Sequence, residues 1–327
     1  MSASIDAAGL LLYSFDKEKN NQHQSTTLQN EVIMDHILVI GGGCAGSAAI
    51  AAVREHYTAQ GRADQVHIIA TTKGKHGVPG ADETIQLRLN DQNICSDDWF
   101  VPLLYHRPYA ATFFSFAYGD IGFPAREATV EQRQRAFNYS VRPLLKMETY
   151  GGFGTLFAFG SLHWLPMAKD WYGAMVETKQ QLEPWAAEKP ESRKLVRSGA
   201  FRSASLERIG RVVELLYKRG SAWLTGALPR DVYDLFPSVT DAESMPISEA
   251  MLAQVLEEEH QGYLVNRMTT KEDVQRAVRA LLEQPKQWLV NVVADLQWFG
   301  TDRVPPERRL EINQLNLLRG FCMLPGG

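Results

Sequence analysis

The sequence predicts an α/β protein built on a doubly wound parallel sheet. Short apolar runs rich in β-branched residues alternate with helical patterns between residues 35 and 161, and the first run leads directly into a glycine-rich turn. The predicted strands are 35–40, 65–70, 110–118 and 154–161, and residues 131–147 read as a helix apart from Pro143. Ligands of such sheets bind beside the carboxyl ends of the strands, so the residues that end each strand are the candidates for function.

Length and composition are those of an ordinary globular chain. The 327 residues are 45% hydrophobic and 22% charged, with a formal net charge of −4, which gives no reason to expect nucleic acid or a membrane surface as the partner. Cys44, Cys95 and Cys322 form no C-x-x-C pair, which argues against a structural zinc site and a disulfide framework. No apolar run is long enough to span a membrane, and we expect a cytoplasmic protein without a metal site.

A single domain is expected over residues 35–300. Residues 1–34 include a long polar stretch and are predicted to be a disordered extension, and residues 301–327 form a C-terminal tail. Residues 204–265 combine an amphipathic helix with a segment of large apolar residues broken by Gly and Pro. This composition suits a helical insert that covers the substrate, and it would equally suit a buried loop or a subunit contact. Within the insert, Arg230 is a candidate contact for an anionic carrier.

The glycine-rich turn is the strongest local signal. Three glycines fit the pattern G-x-G-x-x-G, namely Gly41, Gly43 and Gly46. Glycines at this spacing let the backbone approach a pyrophosphate, and the free N–H groups of the following helix favour its negative charge. The same turn fits G-x5-S-x-A through Gly41, Ser47 and Ala49. The first pattern is typical of sites for FAD, and an ordinary tight turn is the remaining interpretation.

The end of the second strand discriminates between the cofactors. Residues 65–70 should be followed by Asp or Glu if the site held both ribose hydroxyls of FAD or NAD. They are followed instead by hydroxyl groups and lysines, namely Thr71, Thr72, Lys73 and Lys75. These side chains suit a 2′-phosphate, so the sequence favours NADPH, leaves NADH possible and disfavours FAD. A solvated basic loop is the alternative interpretation of the lysines.

A serine and a helix mark the candidate catalytic site. The strand 154–161 ends in Ser161, and further on Tyr172 and Lys179 lie seven residues apart. Seven residues are almost two turns of a helix, so a continuous helix would place both side chains on one face. An ammonium near a phenol strengthens the phenol as an acid, and such a pair can stabilise an oxyanion that develops during hydride transfer. A chance Tyr and Lys on an amphipathic helix is the alternative.

With these motifs in this order, the sequence resembles the short-chain dehydrogenase/reductase superfamily, and most closely its enoyl-acyl-carrier-protein reductases. The resemblance implies a Rossmann-type fold and covers roughly residues 35–300. It is carried by the turn from Gly41 to Ala49, the strand ending in Ser161, the pattern Tyr172-x6-Lys179, residues 198–203, and residues 270–293 as a final helix and strand. Residues 198–203 are similar to a P-G-x-x-x-T segment that contacts the nicotinamide carboxamide in that family.

The resemblance implies a role for individual residues. Tyr172 would be the acid, Lys179 would hold the nicotinamide ribose and tune the tyrosine, and Ser161 would orient the carbonyl. The remaining cofactor contacts would be Gly41, Gly43, Gly46, Ser47, Ala49, Thr72, Lys73, Gly199 and Ser203. Two further candidates stay open: Asn138 is a proton relay or a surface residue, and His163 touches the substrate or is structural.

The function implied by these roles is NAD(P)H-dependent reduction of an enoyl thioester, carried by an acyl carrier protein or coenzyme A, in fatty acid or polyketide metabolism. An oxidoreductase of the same superfamily that acts on carbonyl, ketoacyl or hydroxy groups is the first alternative. A non-catalytic, dinucleotide-binding regulator or scaffold is an alternative of another class. The resemblance also implies a homodimer or homotetramer packed through the helices around Tyr139 and Tyr172.

Overall fold

The computed structural model describes residues 34–90, 92–116, 128–201 and 247–314. The chain divides after residue 33, and all described elements belong to the second unit, residues 34–327. The N-terminal extension, Ser203, Arg230, most of the predicted insert and residues 315–327 lie outside the described residues. No helix within the described ranges is long and apolar enough to cross a membrane.

One sheet of eight strands forms the centre of the described part of the chain, in the order β3-β2-β1-β4-β5-β6-β7-β8. The strands are β1 Asp35–Ile40, β2 Val66–Thr72, β3 Glu83–Gln86, β4 Ala111–Phe114, β5 Thr155–Ser161, β6 Arg193–Ser198, β7 Leu289–Val293 and β8 Leu296–Phe299. All neighbours run parallel except β8, which is antiparallel to β7. The order reverses between β1 and β4, which confirms the predicted Rossmann-type, doubly wound sheet.

Helices cover both faces of this sheet. They are α1 Cys44–Ala59, α2 Val101–Leu104, α3 Val130–Ser140, α4 Arg142–Tyr150, α5 Pro166–Gln180, α6 Leu182–Glu188, α7 Ile247–Tyr263 and α8 Lys271–Glu283. Along β1 the side chains alternate between two apolar clusters, so Val39 packs toward α1 and α8, whereas Leu38 packs toward α2, α4 and α6. Parallel strands buried on both faces are expected to be continuously apolar, and residues 37–40 of β1 have that composition.

The structure corrects three predicted elements. The helix expected over 131–147 is two helices: α3 ends at Ser140, and α4 begins with a proline in its first turn. The break occurs because Pro143 has no N–H to donate and its ring would clash with the preceding turn of a continuous helix. Of the strand expected over 110–118, residues 110–116 are described and are regular only over Ala111–Phe114, while residues 117–118 lie outside the described residues. Within α5, Gly173 has φ 40° and ψ −121°, which kinks the helix.

Candidate functional site

Each glycine of the predicted phosphate turn has a separate geometric reason. Gly41 follows β1 with φ +98°, a conformation that side chains rarely adopt. A Cβ on Gly46 would lie 1.8 Å from the carbonyl oxygen of Gly41, so only glycine lets α1 pack this closely against the end of β1. A Cβ on Gly43 would meet no atom within 4 Å, which leaves open space at the helix entrance. Tight turn, close packing and open approach are the three properties that a dinucleotide-binding turn requires.

Hydrogen bonds fix the turn and leave the start of α1 available. The N–H of Gly41 donates to Thr71 Oγ1 at 3.0 Å and that of Gly42 to the Thr71 carbonyl at 2.9 Å, while Ser115 Oγ donates to the Gly41 carbonyl at 2.6 Å. No side chain caps α1, and no acidic residue lies in its first turn. Within the described chain, the backbone N–H groups of residues 44–46 have no acceptor. A helix N-terminus in this state favours an anion.

Two other predicted contacts of the turn have partners within the protein. Ser47 Oγ donates to the Gly42 carbonyl at 3.3 Å, which is a long hydrogen bond and leaves the hydroxyl oxygen as an acceptor. Ala49 is completely buried in the apolar cluster between α1 and the sheet. Its small side chain therefore contributes to the packing of α1 and faces away from solvent.

The predicted 2′-phosphate residues lie directly beside the turn. Because β1 and β2 are parallel neighbours in the sheet, with Val39 opposite Ala70, their carboxyl ends meet at one edge. Thr72 ends β2 and accepts a hydrogen bond from the N–H of Gly74 at 3.1 Å, and Lys73 and Lys75 are exposed. Residues 71–77 include no carboxylate, so this edge presents positive charge to solvent.

Ser161 occupies the equivalent place on the other half of the sheet. It is the last residue of β5, lies opposite Ser198 of β6, and its carbonyl accepts the N–H of His163 at 2.8 Å. Its Oγ is buried, and no hydrogen-bond partner for it lies among the residues that the structure describes. A buried hydroxyl without a partner is costly, and at the carboxyl end of a strand it is available to a ligand.

The kink in α5 changes the interpretation of the Tyr-x6-Lys pattern. Gly173 has left-handed dihedral angles and lies between Tyr172 and Lys179, so the premise of one regular helix is wrong. The backbone of Tyr172 is helical, and its side chain lies outside what the structure describes. Burial lowers the pKa of the Lys179 ammonium to about 8, and no described side chain or carbonyl accepts from it. Lys179 therefore has the free cation that the predicted role needs.

Sequence reasoning missed a buried carboxyl group beside Gly199. The N–H of Gly199, which follows β6, donates to the Val292 carbonyl at 2.8 Å, and the N–H of Ala200 donates to Glu259 Oε1 at 2.6 Å. Glu259 comes from α7 and is 1% exposed. One signal was present in the sequence: Val255, Glu259 and Tyr263 are four residues apart, so the glutamate occupies the apolar face of its helix.

His163 belongs to a buried network next to Ser161. Its imidazole is 6% exposed, and burial together with the nearby charges of Arg197, Arg303 and Lys169 lowers its pKa to about 4. The neighbouring Trp164 donates from Nε1 to the hydroxyl of Tyr263 at 2.6 Å. Burial and these cations thus oppose protonation of the imidazole, while Glu183 Oε2 lies 4.0 Å from its Nε2.

Asn138 lies on α3, and its side-chain oxygen is already engaged. It accepts from Gln134 Nε2 at 3.0 Å and from Arg142 Nη1 at 3.4 Å. The adjacent Tyr139 is 2% exposed and stacks on Phe116 of the same chain. The oxygen of Asn138 is thus a structural acceptor between α3 and α4, and the structure shows no contact between Asn138 and Ser161.

Comparison with solved structures finds similar chain architectures. A short-chain dehydrogenase family protein from Francisella tularensis is 12% identical, with a TM-score of 0.49 over 77% of this chain and 93% of that chain. A short-chain type dehydrogenase/reductase from Mycobacterium ulcerans is 14% identical, with a TM-score of 0.48 over 80% and 90%. A 4-hydroxyisoleucine dehydrogenase complexed with NADH is 15% identical, with a TM-score of 0.47 over 80% and 97%.

No protein-family model matches the chain, and no curated protein matches it by sequence. The three solved structures named above are 12–15% identical to this chain, and the likeness is one of architecture.

Proposed function

We propose that this protein is an NAD(P)H-dependent oxidoreductase. The observation that carries the proposal is the turn of Gly41, Gly43 and Gly46, which combines a positive φ, an open entrance and close helix packing where the sheet order reverses. In a doubly wound sheet one half binds each nucleotide of a dinucleotide. The adenosine half would lie over β1–β3 and the nicotinamide half over β4–β6, where Ser161 and Lys179 are found.

NADPH is the cofactor we propose, with NADH as the alternative. Thr72 would contact the ribose of the adenosine, and Lys73 and Lys75 would neutralise its 2′-phosphate. FAD would be expected to require a carboxylate after β2, and none stands there. The uncapped start of α1 would hold the pyrophosphate. When bound, the nicotinamide supplies a hydride, and the protein must supply the proton and stabilise the oxyanion.

The reaction we propose first is reduction of an enoyl thioester, carried by coenzyme A or an acyl carrier protein. Hydride addition to the β-carbon moves negative charge to the thioester oxygen as an enolate, and the α-carbon then takes a proton. The unpartnered hydroxyl of Ser161 would donate to that oxygen, Tyr172 would act as acid, and the Lys179 ammonium would favour the tyrosinate left behind. Oligomerisation to a dimer or tetramer remains part of the proposal.

A carbonyl or hydroxy-group oxidoreductase is the second candidate, because the buried Ser161 hydroxyl at the end of β5 would polarise a ketone as well as a thioester. The kink at Gly173 interrupts the two-turn spacing between Tyr172 and Lys179 on which either reaction would draw. The same three side chains would then polarise a ketone and protonate the alkoxide after hydride transfer to the carbonyl carbon. Ser161 would serve both reactions in the same way.

A substrate panel separates these proposals. The purified full-length chain is mixed with NADPH or NADH and with enoyl thioesters, ketoacyl thioesters and simple ketones, and oxidation of the cofactor is followed by absorbance. Tyr172→Phe should lower turnover by about 100-fold or more while the dissociation constant for NADPH is unchanged. Tyr105→Phe is the matched control, because that tyrosine is 81% exposed. Turnover that is equal in Tyr172→Phe contradicts the mechanism, and binding without turnover of any substrate favours the non-catalytic alternative.

A further inference from the structure

The carboxyl group of Glu259 lies against the backbone that follows β6. A Cβ on Gly199 would come within 2.8 Å of Glu259 Oε1, 2.9 Å of Glu259 Oε2 and 2.8 Å of Thr269 Oγ1. Oε1 accepts the N–H of Ala200, whereas Oε2 has no hydrogen-bond partner in the described ranges of the chain. Glycine at position 199 is therefore what lets a buried carboxyl group touch the main chain at the carboxyl end of a strand.

Residues from four parts of the fold meet at this point. Besides the contact from α7, the N–H of Thr269 donates to the Ala200 carbonyl at 3.2 Å, and Thr269 Oγ1 accepts the N–H of Ala294 from the turn between β7 and β8. Gly199 itself donates to Val292 of β7. The backbone of residues 199–200 is thus held by donors and acceptors on both sides, and Glu259 is the titratable group among them.

We propose that Glu259, as a neutral carboxylic acid, is a positioning residue that fixes the Gly199–Ala200 backbone where the nicotinamide end of the cofactor binds. The proposal rests on the proposed function, because only a dinucleotide across β1–β6 brings a ligand to this edge. Within the described part of the chain, the Ala200 N–H is the one hydrogen-bond donor to Glu259 that would stabilise an ionised carboxylate. Ionisation would leave a buried charge on Oε2 without compensation, so it would draw in water and release the backbone.

The charges around Glu259 agree with a neutral group. Burial, followed by repulsion from Glu258 on the same helix, raises its pKa to about 8 despite the hydrogen bond from Ala200. Tyr263, one turn further along α7, has its own pKa raised by burial and by Glu259, and Arg197 of β6 opposes that shift. No cation of the described chain acts on Glu259 itself. The release of the backbone is therefore expected as the pH rises through about 8.

The test is the dissociation constant for NADPH measured between pH 6.5 and 9.5 on the full-length chain. If only the protonated form holds the backbone, a pKa of about 8 predicts roughly tenfold weaker binding at pH 9 than at pH 7. Lys179 loses its charge in the same range, so the comparison is between variants. Glu259→Gln keeps an acceptor for Ala200 and cannot ionise, and its loss of affinity at pH 9 should be smaller by up to tenfold.

Glu257→Gln is the matched control, since it removes the same charge from an exposed position on the same helix and should follow the wild type. Glu259→Leu removes the acceptor and should weaken binding at every pH. Amide exchange at Ala200, corrected for the intrinsic rate, provides a readout without cofactor: protection should fall above pH 8 in the wild type and persist in Glu259→Gln. An equal pH dependence of protection in both proteins overturns the proposal. If the protection difference is found but the protein does not bind NADPH, the proposed function is overturned and the role of Glu259 is not. If Glu259→Gln does not fold, the test is the wild-type protection at Ala200, which must fall above pH 8 for the proposal to hold.

Discussion

Alanine at two of the turn glycines separates the binding of a cofactor from the stability of the fold. Gly46→Ala places a methyl group 1.8 Å from the Gly41 carbonyl oxygen, where ordinary contact needs more than 3 Å. The backbone must move to relieve this overlap, since neither atom belongs to a flexible side chain. Gly43→Ala adds the same methyl group where no atom lies within 4 Å, and the φ of −73° at this position suits alanine.

The expected magnitudes follow from these distances. Overpacking costs roughly 1–3 kcal/mol and more when backbone is involved, and alanine regains about 1 kcal/mol of helix propensity over glycine. Gly46→Ala should therefore lose about 2 kcal/mol or more, which is a fall in Tm of roughly 4–8 °C for a domain of this size. Gly43→Ala at the N-cap should change stability by less than about 1 kcal/mol.

NADPH binding should be weakened by the substitution that changes stability least. A methyl group on residue 43 projects into the open space at the start of α1, so Gly43→Ala should weaken NADPH binding at least tenfold while its Tm stays near the wild-type value. Binding is measured by quenching or enhancement of NADPH fluorescence, and Tm by thermal unfolding of the same samples. A folded Gly43→Ala protein that binds NADPH as tightly as the wild type would refute the assignment of the turn to a pyrophosphate.

Three further predictions concern the other candidate residues. Lys73→Ser should weaken NADPH binding by about tenfold and leave NADH binding unchanged, which is measured by titration with each cofactor; equal losses would contradict a 2′-phosphate site. Ser161→Ala should lower kcat by about 100-fold with little change in NADPH affinity, since it removes one donor to the oxyanion, and unchanged steady-state kinetics would exclude that role. Glu259→Gln should change the pH dependence of the free energy of unfolding. The pKa of Glu259 is about 8 in the folded state and near 4.5 in the unfolded state. The free energy of unfolding of the wild type should therefore fall by up to roughly 4 kcal/mol relative to the variant as the pH rises from 5 to 8. Parallel denaturation curves at both pH values would show that the carboxyl group is not buried in its neutral form.

Local sequence pattern was sufficient to predict β1, the glycine turn and α1. An apolar strand, three glycines and a helix of small residues are adjacent in the chain, and the close contact between Gly46 and Gly41 is formed across a five-residue turn. The strand ending in Ser161 was predicted to within one residue for the same reason. Three strands were not predicted, namely β3, β6 and the antiparallel β8. The strands β3 and β8 are short and pair at the two ends of the sheet order, and three of the six residues of β6 are basic, so it forms no apolar run.

The kink in α5 and the buried carboxyl group of Glu259 could not be predicted from local sequence pattern. Gly173 fits a helical pattern with one isolated glycine, and sequence spacing does not reveal that its dihedral angles are left-handed. Glu259 stands in a run of three glutamates, of which only the third is buried. Its spacing from Val255 and Tyr263 places it on the apolar face of α7, but its partner at Ala200 lies 59 residues away along the chain.

Burying a carboxyl group at an apolar position costs stability unless the group is hydrogen-bonded. At position 259 a leucine would suit the stripe formed by Val255 and Tyr263, and it would leave the N–H of Ala200 without an acceptor. The carboxyl group in turn explains the glycine at position 199, since any side chain there would collide with both carboxyl oxygens. The two residues therefore depend on each other, and a double-mutant cycle of Gly199→Ala with Glu259→Ala should show partial rescue. The smaller side chain at 259 removes the clashes with the two carboxyl oxygens, and the contact with Thr269 Oγ1 at 2.8 Å remains. If the two losses of stability simply add, the contact between them is not what holds the backbone after β6.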